Sequence, residues 1–272
     1  MQVSCSKSCF SRYSQRYSMK LLAWLDGCVF EAGKLRIEFP YVMQRIHTLG
    51  GKAYNAERHV DVLRRSAEEL FGFATLCSAR DVERIAGRLV ELSRVTEVLS
   101  VPVVMRLDAS GSLSFEVEQP TFGAGGYLRA RRESGVPYTM PEPVVMSQTK
   151  ASIAIDDMAD YAVHHLGGER AIWVSAAGDL ISRPWRPIFV YYKQCWFTPK
   201  RYKSVEFEVA ERAIKAVGSK LLVRDIPESA LDIVDEVFML DIMGISSFAT
   251  VKNNRLLSSM TSRVASKMEP KI

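Results

Sequence analysis

Between Gln119 and Gly126 the chain reads QPTFGAGG, three glycines and a proline in eight residues. Such a stretch supports neither helix nor strand: glycine raises the entropic cost of ordering and proline withdraws a backbone donor. It divides 272 residues, enough for one large domain or two modest ones, into two parts. The spacing of apolar residues then dictates what each part contains.

In the first part, Leu21–Leu25 is a short apolar run ended by the turn signal Asp26-Gly27. Val60, Leu63, Ala67, Leu70 and Phe71 recur at three and four residues, which predicts a helix over 57–73 with Asn55 as its N-cap. Val82, Ile85, Leu89 and Leu92 predict a second helix over 81–94, with Ser78 or Ser93 at its caps. Val101–Asp108 and Leu113–Glu118 form a hairpin about Ala109-Ser110-Gly111.

In the second part, Gly135–Pro143 carries three prolines and reads as a loop, and Val144–Met146 as a short strand. A helix over 156–166, capped by Asp156 and Asp157, stops at Gly167-Gly168. Ala171–Ser175, Leu180–Ser182 and Ile188–Tyr192 are strand-like, with a turn at Ala177-Gly178. A helix over 205–217 ends at Gly218, followed by strands at Lys220–Arg224, Glu236–Leu240 and Thr250–Leu256. No regular strand-helix-strand rhythm persists. The pattern predicts an α+β protein with two subdomains: a small one over 19–118, a linker over 119–126 and a large one over 127–272.

Several classes are excluded. The longest apolar runs fall far short of the roughly 20 residues that cross a bilayer, so no membrane association is expected. The net charge is +5, but Lys7, Arg12, Arg16 and Lys20 lie in the first twenty residues, which contain no acid. Without those four, 32 basic residues face 31 acidic ones, and no basic stripe of a nucleic-acid-binding face remains. Cys5, Cys9, Cys28, Cys77 and Cys195 are odd in number and irregular in spacing, which argues against disulfides and structural zinc. No GxGxxG follows a strand, and neither GxxxxGK[ST] nor GxSxG occurs.

Residues 1–18 hold six serines and no acid. They read as a disordered leader, as sequence upstream of a start at Met19, or as an organelle transit peptide. A cytoplasmic protein is expected unless they direct import.

The order of landmarks from Leu22 to Leu256 resembles the class IV family of pyridoxal-phosphate (PLP) enzymes, which includes branched-chain and D-amino acid aminotransferases and aminodeoxychorismate lyases. In the first part the resemblance rests on Gly51 to His59, with Leu63 and Ser66-Ala67 following. In the second it rests on Lys150, Gly178-Asp179-Leu180-Ile181, Ile188-Phe189-Val190, Thr198-Pro199 and Asp235 to Met239. It implies a class IV aminotransferase-like fold, a small-molecule substrate and a homodimer. Lys150 stands where the family carries its Schiff-base lysine, which would form the imine and move the substrate proton.

The remaining cofactor contacts depart from the family pattern. Val62 stands at the position of the phosphate-gripping Arg, Ser182 at that of the Glu that pairs with the pyridine nitrogen, and Pro187 at that of an Asn. The family's Gly-x-Thr-Arg phosphate cradle reads Ser204-Val205-Glu206-Phe207, and Glu206 would repel a phosphate dianion. Ser182, Arg183, Arg186 and Ser204 are the candidate cofactor-binding residues. Arg183, Arg186 and Lys200-Arg201 either substitute as anion partners or are ordinary surface charge.

Three functions follow from the resemblance. The chain runs aminotransferase or lyase chemistry with PLP on an amino acid or a chorismate-derived amino acid. Or it has lost PLP and uses Lys150 as a base or imine former. Or it is a non-catalytic relative. Among the other polar residues, adjacent His164 and His165 point about 100° apart on a helix and suit a helix-end charge effect better than a metal pair. His59 reads as a packed histidine and His47 as a loop histidine, with His47 also a candidate to face the cleft. Tyr41, Trp173, Trp185 and Trp196 read as core or interface aromatics.

Overall fold

A computed structural model describes residues 20–37, 39–95, 100–119, 131–139 and 146–268. The leader, residues 120–126 of the expected linker and residues 144–145 of the expected strand at 144–146 lie outside the described residues.

The first part runs β1 (Leu22–Leu25), β2 (Cys28–Glu31), β3 (Tyr41–Leu49), β4 (Lys52–Ala53), α1 (Ala56–Phe71), α2 (Ala79–Leu92), β5 (Ser100–Asp108) and β6 (Leu113–Val117). Then come β7 (Glu133–Thr139), β8 (Gln148–Thr149), α3 (Lys150–His164), β9 (Arg170–Val174), β10 (Ile188–Tyr192), β11 (Cys195–Thr198) and α4 (Val205–Ala216). The chain ends with β12 (Lys220–Val223), β13 (Glu236–Asp241), β14 (Gly244–Val251), β15 (Asn254–Arg255) and α5 (Ser259–Met268). No described helix is long and apolar enough to cross a membrane.

The strands form two sheets. One has the order β2-β1-β6-β5-β3-β4, with β8 also paired to β3. The other has the order β12-β11-β10-β13-β14-β7-β9, with β15 paired to β14. The first sheet buries one face under α1 and α2, where Val42, Ile46, Val60, Leu63, Leu89 and Phe115 interlock. The second is covered on both faces, and its strands read as apolar runs for that reason. Along β10 and β13, Ile188, Val190, Val237 and Met239 enter one core, while Phe189, Phe238 and Leu240 enter the other beneath α4 and α5.

Four expectations need correction. Gly135–Pro143 is not all loop, because β7 pairs in parallel with β9 from Gly135↔Arg170 to Thr139↔Val174. The strand tolerates Pro137 because β14 pairs with β7 only as far as Gly135, so no donor is required on that side. Second, α3 begins at Lys150, six residues before the expected start, since Thr149 and Ser152 form a reciprocal capping box. Asp156 is therefore a buried mid-helix residue and not a cap. Third, Asn55 occupies the N-cap position of α1, but in the left-handed region at φ 55° and without a capping side-chain bond. Fourth, His47 lies on β3, not on a loop, and is buried. Leu180–Ser182 contributes only an isolated bridge from Leu180 to Val174. Helix α5 was not foreseen.

Candidate active site

Strand β3 is a wall between two environments. Val42 and Ile46 enter the core under the helices, and Gln44 accepts a hydrogen bond from His59 Nδ1 of α1 at 3.0 Å. Met43, Arg45 and His47, on the opposite face, border cavities between the sheets. The larger is a cleft of about 200 Å³. Its far side is built from Trp185 and Arg186 before β10, Glu206 on the first turn of α4, and Asp241 to Met243 in the β13–β14 turn. Glu118 and Gln148 close one end.

Both guanidinium groups of the cleft are already engaged. Arg45 pairs with Glu118 at 3.1 Å and donates to Gln148 Oε1 at 2.6 Å. Arg186 lies between Asp160, at 3.3 Å, and Asp241, at 3.6 Å. Asp160 also holds Arg170 at 2.5 Å, so one carboxylate ties α3 to β9 and to the cleft wall.

Glu206 is different. It is half-buried at the N-terminus of α4, and no cation pairs with it among the described residues. Burial pushes its carboxyl up to about 7, its own backbone N–H pulls in the opposite direction, and Asp241 adds a smaller upward push. The histidines beyond it are neutral. Burial holds His59 near 3, with His47 adding to the shift, and holds His47 near 4. His47 Nε2 shares a hydrogen bond of 2.8 Å with Ser100 Oγ.

Of the candidates Lys150, Ser182, Arg183, Arg186 and Ser204, Arg186 alone borders this cleft. Arg183 is buried behind it, with Nη1 2.6 Å from Asp156 Oδ1 and its guanidinium on the Trp173 ring. Burial lowers its pKa to about 10, with Asp156 opposing the shift. Ser182 is buried, and its hydroxyl accepts from the Ile188 N–H at 3.2 Å. Ser204 caps α4, accepting from the Phe207 N–H at 3.4 Å and donating to the Pro184 carbonyl at 2.5 Å. Lys150 is exposed at the start of α3, with Nζ 5.8 Å from the centre of the Phe39 ring. Of the four aromatics, Trp173 and Trp196 are core residues, whereas Trp185 borders the cleft.

Glu118, Gln148 and Asp241 were not singled out in the sequence, nor was Arg45. The signal for Arg45 is the run Gln44, Arg45, His47 and Thr48 in a strand whose neighbours are apolar. Among the described residues, no group of three or more His, Cys, Asp or Glu side chains is arranged to hold a metal ion.

No family model and no curated protein matches the sequence. Solved structures do. A branched-chain aminotransferase from Thermoproteus uzoniensis, with norvaline, superposes with a TM-score of 0.75 at 18% identity, over 91% of this chain and 93% of that one. An aminotransferase from Brucella abortus bound to the cofactor PLP gives 0.75 at 14% identity, over 91% and 97%. The branched-chain aminotransferase of Escherichia coli gives 0.72 at 13% identity, over 90% and 92%. The chain has the class IV aminotransferase fold. In this chain the cleft lies between the two sheets, bordered by β3, the first turn of α4 and the β13–β14 turn.

Proposed function

We propose that this chain keeps the class IV fold as a two-subdomain, small-molecule-binding scaffold and does not carry PLP. The observation that supports this best is Glu206. By the resemblance, the first turn of α4 would receive the phosphate, and there the chain presents a carboxylate that no cation pairs with among the described residues. A phosphate dianion brought against it is repelled by the ionised carboxyl, or binds only while that carboxyl holds a proton. The cations that border the cleft among the described residues, Arg45 and Arg186, are both paired with carboxylates. Arg186 is shared by two carboxylates, and Arg183 is committed to Asp156.

The hydroxyls fit the same reading. Ser204 is used in capping α4 and bridging to Pro184, and Ser182 lies buried against the β10 backbone. Neither offers what the altered family contacts would have supplied. Lys150, the candidate imine former, is exposed on α3 and does not border the cleft.

A homodimer belongs to this proposal. The outer face of α3 carries Ala151, Ala154, Ile155, Met158, Tyr161 and Ala162, and the helix turns its other side inward through Asp156, Ala159 and Val163. Met158 and Tyr161 are each more than two-thirds exposed. An apolar stripe of this kind on a helix already buried on its opposite side suits a second copy of the chain.

The test is an absorption spectrum after incubation with PLP and removal of the excess, together with borohydride trapping and mass spectrometry. No imine band and no adduct at Lys150 are expected. A visible band that disappears in Lys150→Ala would overturn the proposal.

A further inference from the structure

The cleft has a charge imbalance that none of its own side chains corrects. The charged groups bordering it are Arg45 and Arg186 against Glu118, Asp241 and Glu206. The two guanidinium groups are held by Glu118 and Asp241 at 3.1 and 3.6 Å. That leaves Glu206. It borders both the main cleft and the smaller adjoining cavity toward His47 and His59. A half-buried carboxylate without a partner is costly, and a charge brought by a ligand removes that cost.

The remaining lining narrows the ligand class. Met43, Trp185, Ile242 and Met243 supply apolar surface around the acid. A bare divalent ion would leave that surface unused, and the described residues offer no set of three metal-ligating side chains. An ammonium group on a short alkyl chain satisfies both parts: the cation meets the carboxylate and the methylenes meet the thioethers and the indole.

We infer that the cleft binds a small primary alkylamine, with Glu206 as the carboxylate that anchors its ammonium group. This rests on the reading that no PLP phosphate occupies the first turn of α4. The ligand sign is the reverse of what a helix N-terminus ordinarily selects. Glu206 is the residue that reverses it.

The pH dependence follows from the groups around the anchor. His47 and His59 are neutral above about pH 5, because burial holds them near 4 and 3. Arg45, Arg186, Glu118 and Asp241 are paired as described. Glu206, held near 7, is the group that changes charge around neutrality. Its ionised fraction rises about tenfold between about pH 6 and pH 8, while an alkylamine stays protonated.

The experiment uses the full chain and n-butylamine as the probe, with calorimetry and Trp fluorescence as readouts. Butyrate, 1-butanol and magnesium chloride serve as comparators. Butylamine is expected to bind and the comparators are not. Affinity is expected to tighten about tenfold from about pH 6 to pH 8. Glu206→Gln should weaken it by about tenfold or more, and Glu206→Asp should retain part of it. Equal binding by the parent and Glu206→Gln, preference for butyrate or magnesium, or no butylamine binding would each overturn the inference. A PLP titration on the same sample separates the two claims. An imine band there removes the underlying reading as well, whereas no band together with no amine binding removes this inference alone.

Discussion

Arg183 Nη1 stands 2.6 Å from Asp156 Oδ1, and the guanidinium carbon lies 3.2 Å from the centre of the Trp173 ring. Both charged residues are buried, Arg183 at 4% and Asp156 at 2% exposure. Burial raises the Asp156 pKa and lowers that of Arg183, while each partner opposes the shift of the other. The pair fastens α3 to the segment that precedes β10.

Removing one partner should cost more than removing both. Arg183→Ala leaves a buried carboxylate with the Trp185 indole N–H, at 2.9 Å, and the charge of the nearby Arg186 but no ion-pair contact of its own. It is expected to lose about 3–5 kcal/mol in urea unfolding. Arg183→Met combined with Asp156→Leu should recover most of that loss. Equal losses in the single and double variants would show that the pair has no such coupling.

Histidine burial sets the acid limit. The folded-state values of His59 and His47, about 3 and 4, lie below the ordinary 6.5. The unfolded chain therefore takes up protons first as pH falls. Stability is complete above about pH 6.5 and is lost as pH drops through that window, by about 3–5 kcal/mol per histidine at the limit. His59→Asn retains a group able to meet Gln44, and it should reduce the proton uptake linked to unfolding by about one. An unchanged slope between about pH 6 and pH 4 would contradict this.

Glu206 acts with the opposite sign. Its folded-state value, about 7, lies above the ordinary 4.5, so the folded chain keeps a proton that the unfolded chain has released. Its contribution to stability falls as pH rises between those values. Glu206→Gln is expected to match the parent at about pH 4 and to exceed it by on the order of 2 kcal/mol at about pH 8. Paired denaturation curves at the two pH values decide the matter.

The C-terminal helix depends on one acid in the sheet. Glu236 of β13 accepts from the Met260 N–H at 2.9 Å and the Thr261 N–H at 2.7 Å. The hydroxyls of Ser259 and Thr261 also donate to it, at 3.0 and 2.8 Å. Glu236→Ala strands these donors at the start of α5 and should cost about 2–4 kcal/mol. Amide exchange should rise in α5 before it rises in β13. Uniform loss of protection across both elements would count against a local role.

The dimer proposal has a simple test. Met158→Glu puts a charge in the middle of the apolar stripe on α3 without touching the buried side of the helix. Light scattering is expected to report a dimer for the parent and a monomer for the variant, with unchanged circular dichroism. A monomeric parent would refute it.

The fold was legible in the sequence where one physical signal dominates. α1, α2 and α4 follow from apolar spacing of three and four residues, and β5 and β6 from a hairpin turn. The start of α3 was missed because Thr149 and Ser152 cap it through a reciprocal bond between two weak helix formers, while Asp156 resembled a cap. β7 was hidden by Pro137, which a strand paired on one side there can tolerate. α5 was hidden because its N-terminal acceptor, Glu236, lies more than twenty residues upstream. The cleft was harder still. Glu206 stood out because its type conflicts with a phosphate. Glu118, Gln148 and Asp241 look like surface polar residues until two sheets bring them together.

Strand β8 has only two residues, yet it joins the first sheet through Thr149↔Val42 and Gln148↔Met43. The next residue begins α3, which packs through Ala159 and Val163 on Ala171 and Trp173 of the second sheet. The chain is thus riveted across the mouth of its own cleft, at a point shared by both layers. The layers cannot swing apart like a clamshell without tearing β8 from β3. A guest reaches the cleft past the side chains that border it, such as Arg45, Gln148 and Met243. Entry should therefore be slow for bulky guests and fast for thin ones, a filter by cross-section imposed by two residues of backbone.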